Sequence, residues 1–232
     1  MLSHNHIVIF SSPRSGTKLL AKIFEEFGYH SHGEWYALYS TTIEGNKAIR
    51  KETRNKRMSN PFESNFAKVK EHIKRQKLYK EHDKSVVTIW PESLLEFPFM
   101  LHDFDNHHWV CLRREPWSQM LSWFISSKNY NFDGLRISEP ITIEKDDMRE
   151  AYWYYYTICE LQDWLIKNKS ATLLSFEDLV SSNVKEFGID YNIHTTDEHS
   201  NLEELIQNID DVKIWFNMLE DRRLSNVDNF RN

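Results

Sequence analysis

The chain has 232 residues, of which 40% are hydrophobic and 28% charged, and its formal net charge is −6. This composition is typical of a globular protein with one good-sized core, and the length leaves little room for two domains. Two cysteines are too few for a disulfide framework and have no zinc-binding spacing. Because the N-terminus has no signal-peptide pattern and no apolar run is long enough to span a bilayer, we expect a cytoplasmic protein without a membrane span.

The first predicted element is a strand–turn–helix unit in residues 7–28, IVIFSSPRSGTKLLAKIFEEFG. Residues 7–10 are continuously apolar, as in a buried strand of a parallel sheet, and apolar residues at helical spacing follow from Thr17. The intervening loop, SSPRSGT, could direct its backbone N–H groups and the positive end of the helix dipole at a phosphate or sulfate. It could equally be an ordinary turn in which Ser15 or Thr17 caps the helix.

Residues 28–84 carry weaker patterns. We interpret residues 28–42 as a connecting segment, residues 43–57 as an exposed helix, and residues 61–77 as an amphipathic helix. Lys and Arg outnumber acidic residues between 47 and 84, which could attract an anionic ligand. Since no nucleic-acid-binding signature accompanies these charges, we expect no nucleic-acid partner.

Strands and helices alternate through the rest of the chain. Short apolar runs predict further strands at residues 85–90, 107–112 and 171–175. Helices are predicted at 91–104, from Pro116, at about 144–168 and from Phe176, with a lid or substrate loop at 129–143 and two short helical pieces after 188. This alternation predicts an α/β fold with a central, mostly parallel sheet and helices on both faces, in a single domain of residues 1–232.

A second informative stretch is CLRREPWSQMLSWF, residues 111–124. Two arginines leave the carboxyl end of a predicted strand, where ligands of open α/β sheets bind, and Ser122 lies one or two turns inside the next helix. If this strand neighbours the first, Arg114 and Ser122 reach the same crevice as the SSPRSGT loop, which would suit a nucleoside with phosphates at both ends. Alternatively, Arg113 and Arg114 form surface ion pairs with Glu115 or other acids.

In this order, the two motifs resemble those of the sulfotransferases that use 3′-phosphoadenosine 5′-phosphosulfate (PAPS). SSPRSGT is similar to the family's P-[KR]-S-G-T loop, which holds the 5′-phosphosulfate. LRREPWSQMLSWF is similar to the family's R-[DN]-P-like motif for the 3′-phosphate, with a Ser eight residues after the Arg. LLSFEDLV, residues 173–180, is similar to a later "yEdL" segment. The resemblance covers about residues 5–187, leaves the C-terminal segment 188–232 unmatched, and is nearer to the bacterial, tyrosylprotein and carbohydrate enzymes than to the cytosolic ones.

The resemblance implies a P-loop-type three-layer αβα sandwich and an in-line transfer of a sulfuryl group from PAPS to a hydroxyl or amine, without a metal. In this reading the fixed cation of Arg14 stabilises the charge that develops on the leaving phosphate. The implied nucleotide-binding residues are Arg14, Ser15, Gly16, Thr17, Lys18, Arg114 and Ser122.

The general base implied by the resemblance is Glu34, because Gly33-Glu34 resembles the Gly-Glu of the tyrosylprotein enzymes. His32 is the second candidate, and the mid-chain histidines His102, His107 and His108 are further ones, since the cytosolic enzymes use a histidine. The acceptor could be a carbohydrate, a tyrosine, a lipid or a small molecule. Aromatic residues could line its pocket or simply fill buried faces: Trp35, Tyr36, Tyr39 and the cluster at 152–156.

Some features depart from the family pattern and leave two alternatives. The family's K-x-P lysine and its C-terminal Arg-Lys-Gly loop are missing, although Arg222 and Arg223 could supply charge, and Phe176 replaces the tyrosine of "yEdL". One alternative is a P-loop kinase or NTPase, whose Walker A motif would need glycine in place of Ser11. The other is a sulfotransferase-like domain that binds a nucleotide or a protein without catalysis.

Overall fold

A computed structural model describes residues 4–35, 39–44, 47–52, 77, 80–91, 94, 100–128, 140–181 and 202–231. The chain divides into two compact units. Unit 1 consists of Met1–Arg113 and Gln162–Ile193, and unit 2 of Arg114–Leu161 and His194–Asn232. The single domain predicted from the sequence stays a prediction.

The described secondary structure alternates strands and helices along the chain. The strands are β1 (His6–Phe10), β2 (His30–Trp35), β3 (Tyr39–Glu44), β4 (Lys47–Glu52), β5 (Ser85–Ile89), β6 (His108–Arg113) and β7 (Thr172–Ser175). The helices are α1 (Thr17–Glu26), α2 (Met100–Asp103), α3 (Pro116–Lys128), α4 (Lys145–Lys169), α5 (Phe176–Val180) and α6 (Ile209–Arg231), with a 3-10 helix at Leu202–Leu205. None of the described helices combines the length and apolar character that crossing a membrane requires.

A five-stranded parallel sheet forms the centre of unit 1, in the order β2-β5-β1-β6-β7. The predicted α/β class with a central parallel sheet is therefore confirmed. The chain places β2 and β5 on one side of β1 before it continues with β6 and β7 on the other. Such a reversal of strand order opens a crevice at the carboxyl ends of the strands, here beside the end of β1.

The core of unit 1 forms where α1 covers one face of this sheet. Ile7 and Ile9 of β1 are fully buried against the apolar stripe of α1, which includes Leu20, Ile23 and Phe24. Burying each of these large apolar side chains stabilises the fold by about 1.5–3 kcal/mol. The packing fixes α1 on the sheet and so positions the loop that joins β1 to α1.

Unit 2 contains α3, residues 145–161 of α4, the 3-10 helix and α6, and these elements share a second apolar core. The strand-like segment at Ile141 joins the 3-10 helix through two backbone hydrogen bonds of 2.8 Å, from Ile141 N to Leu205 O and from Gln207 N to Ile141 O. The side chain of Asn208 bonds both backbone groups of Ile143. Residues 202–219, within the C-terminal segment that has no motif match, therefore contribute to this core.

Two parts of the sequence reading are wrong and one is incomplete. Residues 28–42 are not a mere connection, because they contain β2 and the start of β3. The helix predicted at 43–57 is wrong for residues 43–44 and 47–52, because these belong to β3 and β4, which pair as a two-stranded antiparallel sheet; residues 45–46 and 53–57 lie outside the described residues. Of the C-terminal segment the structure describes residues 202–231, which form a short 3-10 helix and the long α6 rather than two short pieces. The predictions for 61–76 and for 129–139 of the lid segment lie outside the described residues.

Candidate functional site

The loop from Ser11 to Gly16 leaves the carboxyl end of β1, the central strand of the sheet. Arg14 and Gly16 have left-handed backbone conformations, with φ of 67° and 93°, and they flank Ser15, which does not. Alternation of left- and right-handed residues turns successive backbone N–H groups toward one point and forms an anion-binding concavity. The first turn of α1, beginning at Thr17, adds its N–H groups and the positive end of its dipole.

Serine hydroxyls hold this loop from the inside. Ser11 and Ser15 are fully buried, and their side-chain oxygens are in contact. Ser15 Oγ donates to Ser12 O at 2.8 Å, and Ser11 Oγ donates to Leu112 O of β6 at 2.5 Å. Ser15 is therefore a brace within the loop rather than a helix cap, and among the described side chains none caps α1.

Gly16 lies against the ring of Phe176, the first residue of α5. A Cβ added at Gly16 would lie 2.4 Å from Cδ2 and 2.7 Å from Cε2 of this ring. Gly16 is required both by this contact and by its positive φ, which L-residues with a side chain rarely adopt. Two stretches chosen from the sequence for their motifs, SSPRSGT and LLSFEDLV, are thus packed together.

Gln162 braces the ends of β1 and β6, and sequence reasoning did not single it out. Its side chain is 1% exposed, and Nε2 donates to Phe10 O at 3.3 Å and to Leu112 O at 3.1 Å. Leu112 O therefore accepts from both Gln162 and Ser11. A sequence signal exists, because Gln162 lies four residues after Ile158 and three before Leu165 on the buried stripe of α4, where a polar residue must find partners.

Arg113 is engaged by α4 at the end of β6. Its Nε donates to Gln162 Oε1 at 2.7 Å, and its Nη2 forms a 2.5 Å ion pair with Asp163. The ion-pair alternative considered for the two arginines is thus what the structure shows for Arg113, with Asp163 as the partner. Arg113 completes the bonding of the Gln162 amide.

In unit 2, Glu115 occupies the start of α3. Its carboxylate accepts hydrogen bonds from the N–H groups of Trp117, at 2.9 Å, and Ser118, at 2.7 Å. Arg114, which precedes it, is fixed through its backbone carbonyl by the Tyr155 hydroxyl at 2.8 Å. Ser122 lies within α3 and is 5% exposed. Because Glu115 satisfies the first N–H groups of α3, an anion held here would depend on side chains such as Arg114. The convergence of Arg114 and Ser122 with the loop stays a prediction.

Glu34 lies one residue before the carboxyl end of β2, and a bulge determines its face. Between Ser31 and Glu34, β2 has one residue more than the facing part of β5, which makes a β-bulge. Gly33 lies in this bulge and has a left-handed conformation with φ of 66°. As a result Glu34 pairs with Thr88. The side chain of Thr88 lies on the same face of the sheet as that of Val86, because the two are two residues apart in β5. Val86 packs in the apolar cluster that includes α1, so this is the face that α1 covers. Register therefore places Glu34 near the carboxyl edge on the face covered by α1.

The ring of His32 extends from mid-strand toward the opposite edge of the sheet. Its Nε2 is 3.3 Å from the hydroxyl of Ser85, the first residue of β5, and Ser85 pairs with His6 at the start of β1. The five residues of β1 separate this level from the loop by about 13 Å, at about 3.3 Å per residue. The structure therefore brings Glu34, and not His32, to the edge that carries the loop.

Two of the mid-chain histidines, His107 and His108, lie at the same edge of the sheet as the ring of His32. His108 begins β6 and pairs with Ile7, His107 precedes it, and His102 is exposed on α2. Burial is the main reason that the pKa values of His32, His107 and His108 fall to about 4. These imidazoles are neutral at pH 7, but their position at the amino edge separates them from the loop.

The tyrosine cluster of α4 forms a hydrogen-bonded network in unit 2. Glu220 Oε1 accepts from the hydroxyls of Tyr152 and Tyr156, and Arg223 Nη2 pairs with Glu220 Oε2 at 2.9 Å. Arg223 Nε also donates to Tyr152 at 3.2 Å, and its guanidinium lies 4.2 Å from the centre of the Tyr156 ring. Burial raises the pKa of Tyr152 to about 12.

Tyr152 and Tyr156 therefore fill a buried face rather than line an acceptor pocket, because their hydrogen bonds join α4 to α6. Arg223, considered as a charge for the nucleotide, is a member of this network, whereas Arg222 is exposed. The side chains of Trp35, Tyr36 and Tyr39 lie outside the described residues, so the acceptor pocket stays a prediction.

No protein-family model matches the chain, and no curated protein matches it. The resemblance to PAPS-dependent sulfotransferases therefore depends on the motifs quoted above. Within unit 1 the structure joins SSPRSGT, Phe176, Gln162 and the end of β6 into one arrangement, with Glu34 at the same edge of the sheet.

Proposed function

We propose that the chain is a PAPS-dependent sulfotransferase. The observation that carries this proposal is the loop at the end of β1, where left-handed Arg14 and Gly16, buried serines and the start of α1 form a concavity suited to a phosphosulfate. Its residues are those expected from the family motif, and the loop lies in the crevice where α/β sheets bind ligands.

The proposed reaction is an in-line displacement at sulfur. The acceptor oxygen or nitrogen forms a bond to sulfur while the bond from sulfur to the 5′-phosphate oxygen breaks, and 3′-phosphoadenosine 5′-phosphate leaves. Backbone N–H groups of residues 15–18 hold the 5′-phosphate, and Thr17 adds its hydroxyl. Arg14 lies in the loop where negative charge grows on the leaving phosphate, and a fixed cation there lowers the barrier. Glu34 accepts the proton of the acceptor.

Other parts of the proposal concern the second phosphate and the setting. Arg114 and Ser122 bind the 3′-phosphate, with Arg114 as the principal donor because Glu115 already occupies the start of α3. The acceptor carries a hydroxyl or an amine, no nucleic acid takes part, and the protein acts in the cytoplasm. The strands that flank β1 are followed by Trp90 and Arg114, whereas a magnesium-dependent P-loop NTPase needs an aspartate there.

The proposal is tested by nucleotide binding to the full chain. We expect 3′-phosphoadenosine 5′-phosphate to raise the melting temperature, because a ligand that binds only the folded state stabilises it. Arg14→Ala should weaken this binding by about tenfold or more, the loss expected for a charged hydrogen bond. Lys22→Ala, which removes the same charge from an exposed position on α1, is the control and should bind as the wild type does.

The possible outcomes separate the alternatives. Absence of any thermal shift at saturating nucleotide overturns the proposal. Stabilisation by ATP with magnesium in place of the bisphosphate nucleotide supports the kinase or NTPase. Binding of the nucleotide without transfer from labelled PAPS to any member of a broad acceptor panel supports the non-catalytic domain.

A further inference from the structure

Three histidines meet at the amino edge of the sheet, on the side away from α1. His30 and His32 project from β2, and His82 lies three residues before β5, whose first residue, Ser85, pairs with His30. The ring of His30 stacks on that of His82 with centroids 3.8 Å apart and planes 12° apart. The ring of His32 lies edge-on to both, at 4.7 Å from His30 and 5.6 Å from His82.

The ligand atoms of this triad lie close enough to share an ion. One nitrogen from each ring lies within 4.8 Å of the other two, and within the described residues this is the one group of three or more potential metal ligands. Other histidine contacts along this edge, His4 with His108 and His6 with His107, involve two rings each. Three imidazoles are the ligand set of many zinc sites that keep one position open for water.

A polar side chain lies next to one ring of the triad. The Ser85 hydroxyl, 3.3 Å from His32 Nε2, is a polar neighbour of the kind that orients ligand histidines. His30 and His32 are fixed relative to each other by the backbone, because both belong to β2.

We propose that His30, His32 and His82 form a binding site for a divalent transition metal, with Zn²⁺ as the best-fitting ion and water as the fourth ligand. Imidazole nitrogen suits zinc, copper and nickel, and not magnesium or calcium, which prefer oxygen. Tetrahedral zinc at about 2.0–2.1 Å from each nitrogen requires nitrogens about 3.4 Å apart. His30 and His82 therefore unstack on binding, by rotation of the exposed His30 side chain.

The site links β2, an edge strand, to the segment that enters β5. A metal held by both would stabilise the outer part of the sheet, since the ion binds only when the two segments are folded together. The triad lies at the amino edge, whereas the SSPRSGT loop lies at the carboxyl edge. The metal site is thus independent of the proposed sulfotransferase activity, and either can be wrong without the other.

Metal titration of the full chain, stripped of metal with a chelator, tests this proposal. One equivalent of Co²⁺ should give the intense visible absorption bands of a tetrahedral ion, and Zn²⁺ should abolish them by displacement. Zn²⁺ should also raise the melting temperature. His82→Ala should weaken binding by more than about tenfold and remove the tetrahedral bands. His102→Ala, an exposed histidine on α2, is the matched control and should behave as the wild type does.

A second variant distinguishes the loss of metal binding from a loss of folding. His30 is exposed, so His30→Ala should keep the circular dichroism spectrum of the wild type and still lose the site. Equal Co²⁺ affinity of the wild type, His30→Ala and His82→Ala overturns the proposal, as does a wild type without tetrahedral bands at one equivalent.

Discussion

The ring of Phe176 occupies the place where a side chain at Gly16 would begin. A Cβ there would lie 2.4 Å from one ring atom and 2.7 Å from another, well inside van der Waals contact. This contact joins the SSPRSGT loop to the start of α5, although 160 residues separate the two positions in the sequence. Phe176, which stands where the similar "yEdL" motif has a tyrosine, therefore places a ring against the loop.

We predict that Gly16→Ala destabilises the protein by about 2–5 kcal/mol. The left-handed conformation costs about 1–3 kcal/mol for a residue with a side chain, and the clash with Phe176 adds a similar cost of overpacking. Gly28→Ala is the matched control, because Gly28 has φ of +81° but no atom within 4 Å of an added Cβ. Urea denaturation of both variants measures the difference, and equal losses would contradict a role for Phe176.

The double variant Gly16→Ala/Phe176→Ala isolates the contact. If the ring causes the excess loss, the double variant will be more stable than the sum of the single effects predicts, by about 0.5–3 kcal/mol. Additive losses would attribute the whole effect of Gly16→Ala to its backbone conformation.

We predict that Gln162→Ala lowers stability by about 1–3 kcal/mol and weakens nucleotide binding. The substitution leaves buried backbone carbonyls of β1 and β6 without their amide donor and removes a partner of Arg113. Glu160→Ala, at an exposed position on the same helix, is the control. Urea denaturation and nucleotide titration provide the two measurements. A Gln162→Ala protein as stable as the Glu160→Ala protein would show that the brace is dispensable.

We predict that Glu34→Gln abolishes sulfuryl transfer and leaves nucleotide affinity nearly unchanged. The amide is isosteric but cannot accept the acceptor's proton, and loss of a general base typically costs about 10²–10⁴-fold in rate. Transfer from labelled PAPS and nucleotide titration separate the two effects. Undiminished turnover would remove Glu34 from the mechanism.

Deletion of Gly33 tests the same residue by geometry. Without the extra residue, His32 would pair with Val87 and Glu34 would keep its partner Thr88. The carboxylate would stay on the face covered by α1, so a deletion variant that keeps the circular dichroism spectrum of the wild type should still transfer the sulfuryl group. Loss of transfer in such a folded deletion variant would contradict the assigned register.

We predict that the protein loses stability as the pH falls from about 6.5 to 4. Burial lowers the pKa of three histidines to about 4 in the folded state, against about 6.5 in the unfolded chain: His32, His107 and His108. The unfolded state therefore binds more protons in this window, and acid favours unfolding. Acidic groups with lowered pKa values, such as Glu220, contribute only below about 4.5.

Urea denaturation at pH 7 and pH 5 measures this dependence. His107 faces the rings of His6 and Phe104 and the charge of Lys80, and each neighbour that is or becomes positive resists its protonation. His107→Gln should therefore reduce the loss between the two pH values, whereas His102→Gln, at an exposed position, should leave it unchanged. Equal stability of the wild type at pH 5 and pH 7 would contradict the prediction.

The parts of the fold that could be predicted are those determined by local apolar patterns. Residues 7–10, the apolar stripe of α1 and Pro116 at the start of α3 all gave the correct element, because burial and backbone chemistry act there together. β2 could not be found in this way. HSHGEW has a polar pattern and weak strand propensity, and pairing with β5 decides its conformation.

The β3–β4 pair did carry a local signal. Glu44 pairs with Lys47, so Gly45 and Asn46 alone connect the strands, and such dipeptides are typical of hairpins. For the site, the sequence identified the loop but not its supports. Gln162 and the meeting of His82 with β2 depend on long-range contacts, which spacing along the chain does not reveal.

The extra residue at Gly33 also affects how this chain should be compared with any other. In a related strand without the bulge, the residues after the position of Ser31 would alternate between the two faces of the sheet with a shift of one residue relative to this chain. An alignment made without a gap would then equate Glu34 with a residue on the opposite face of the sheet. A comparison that seeks the counterpart of Glu34, the proposed general base, should therefore allow a single-residue insertion at this point and match carboxylates by face rather than by position.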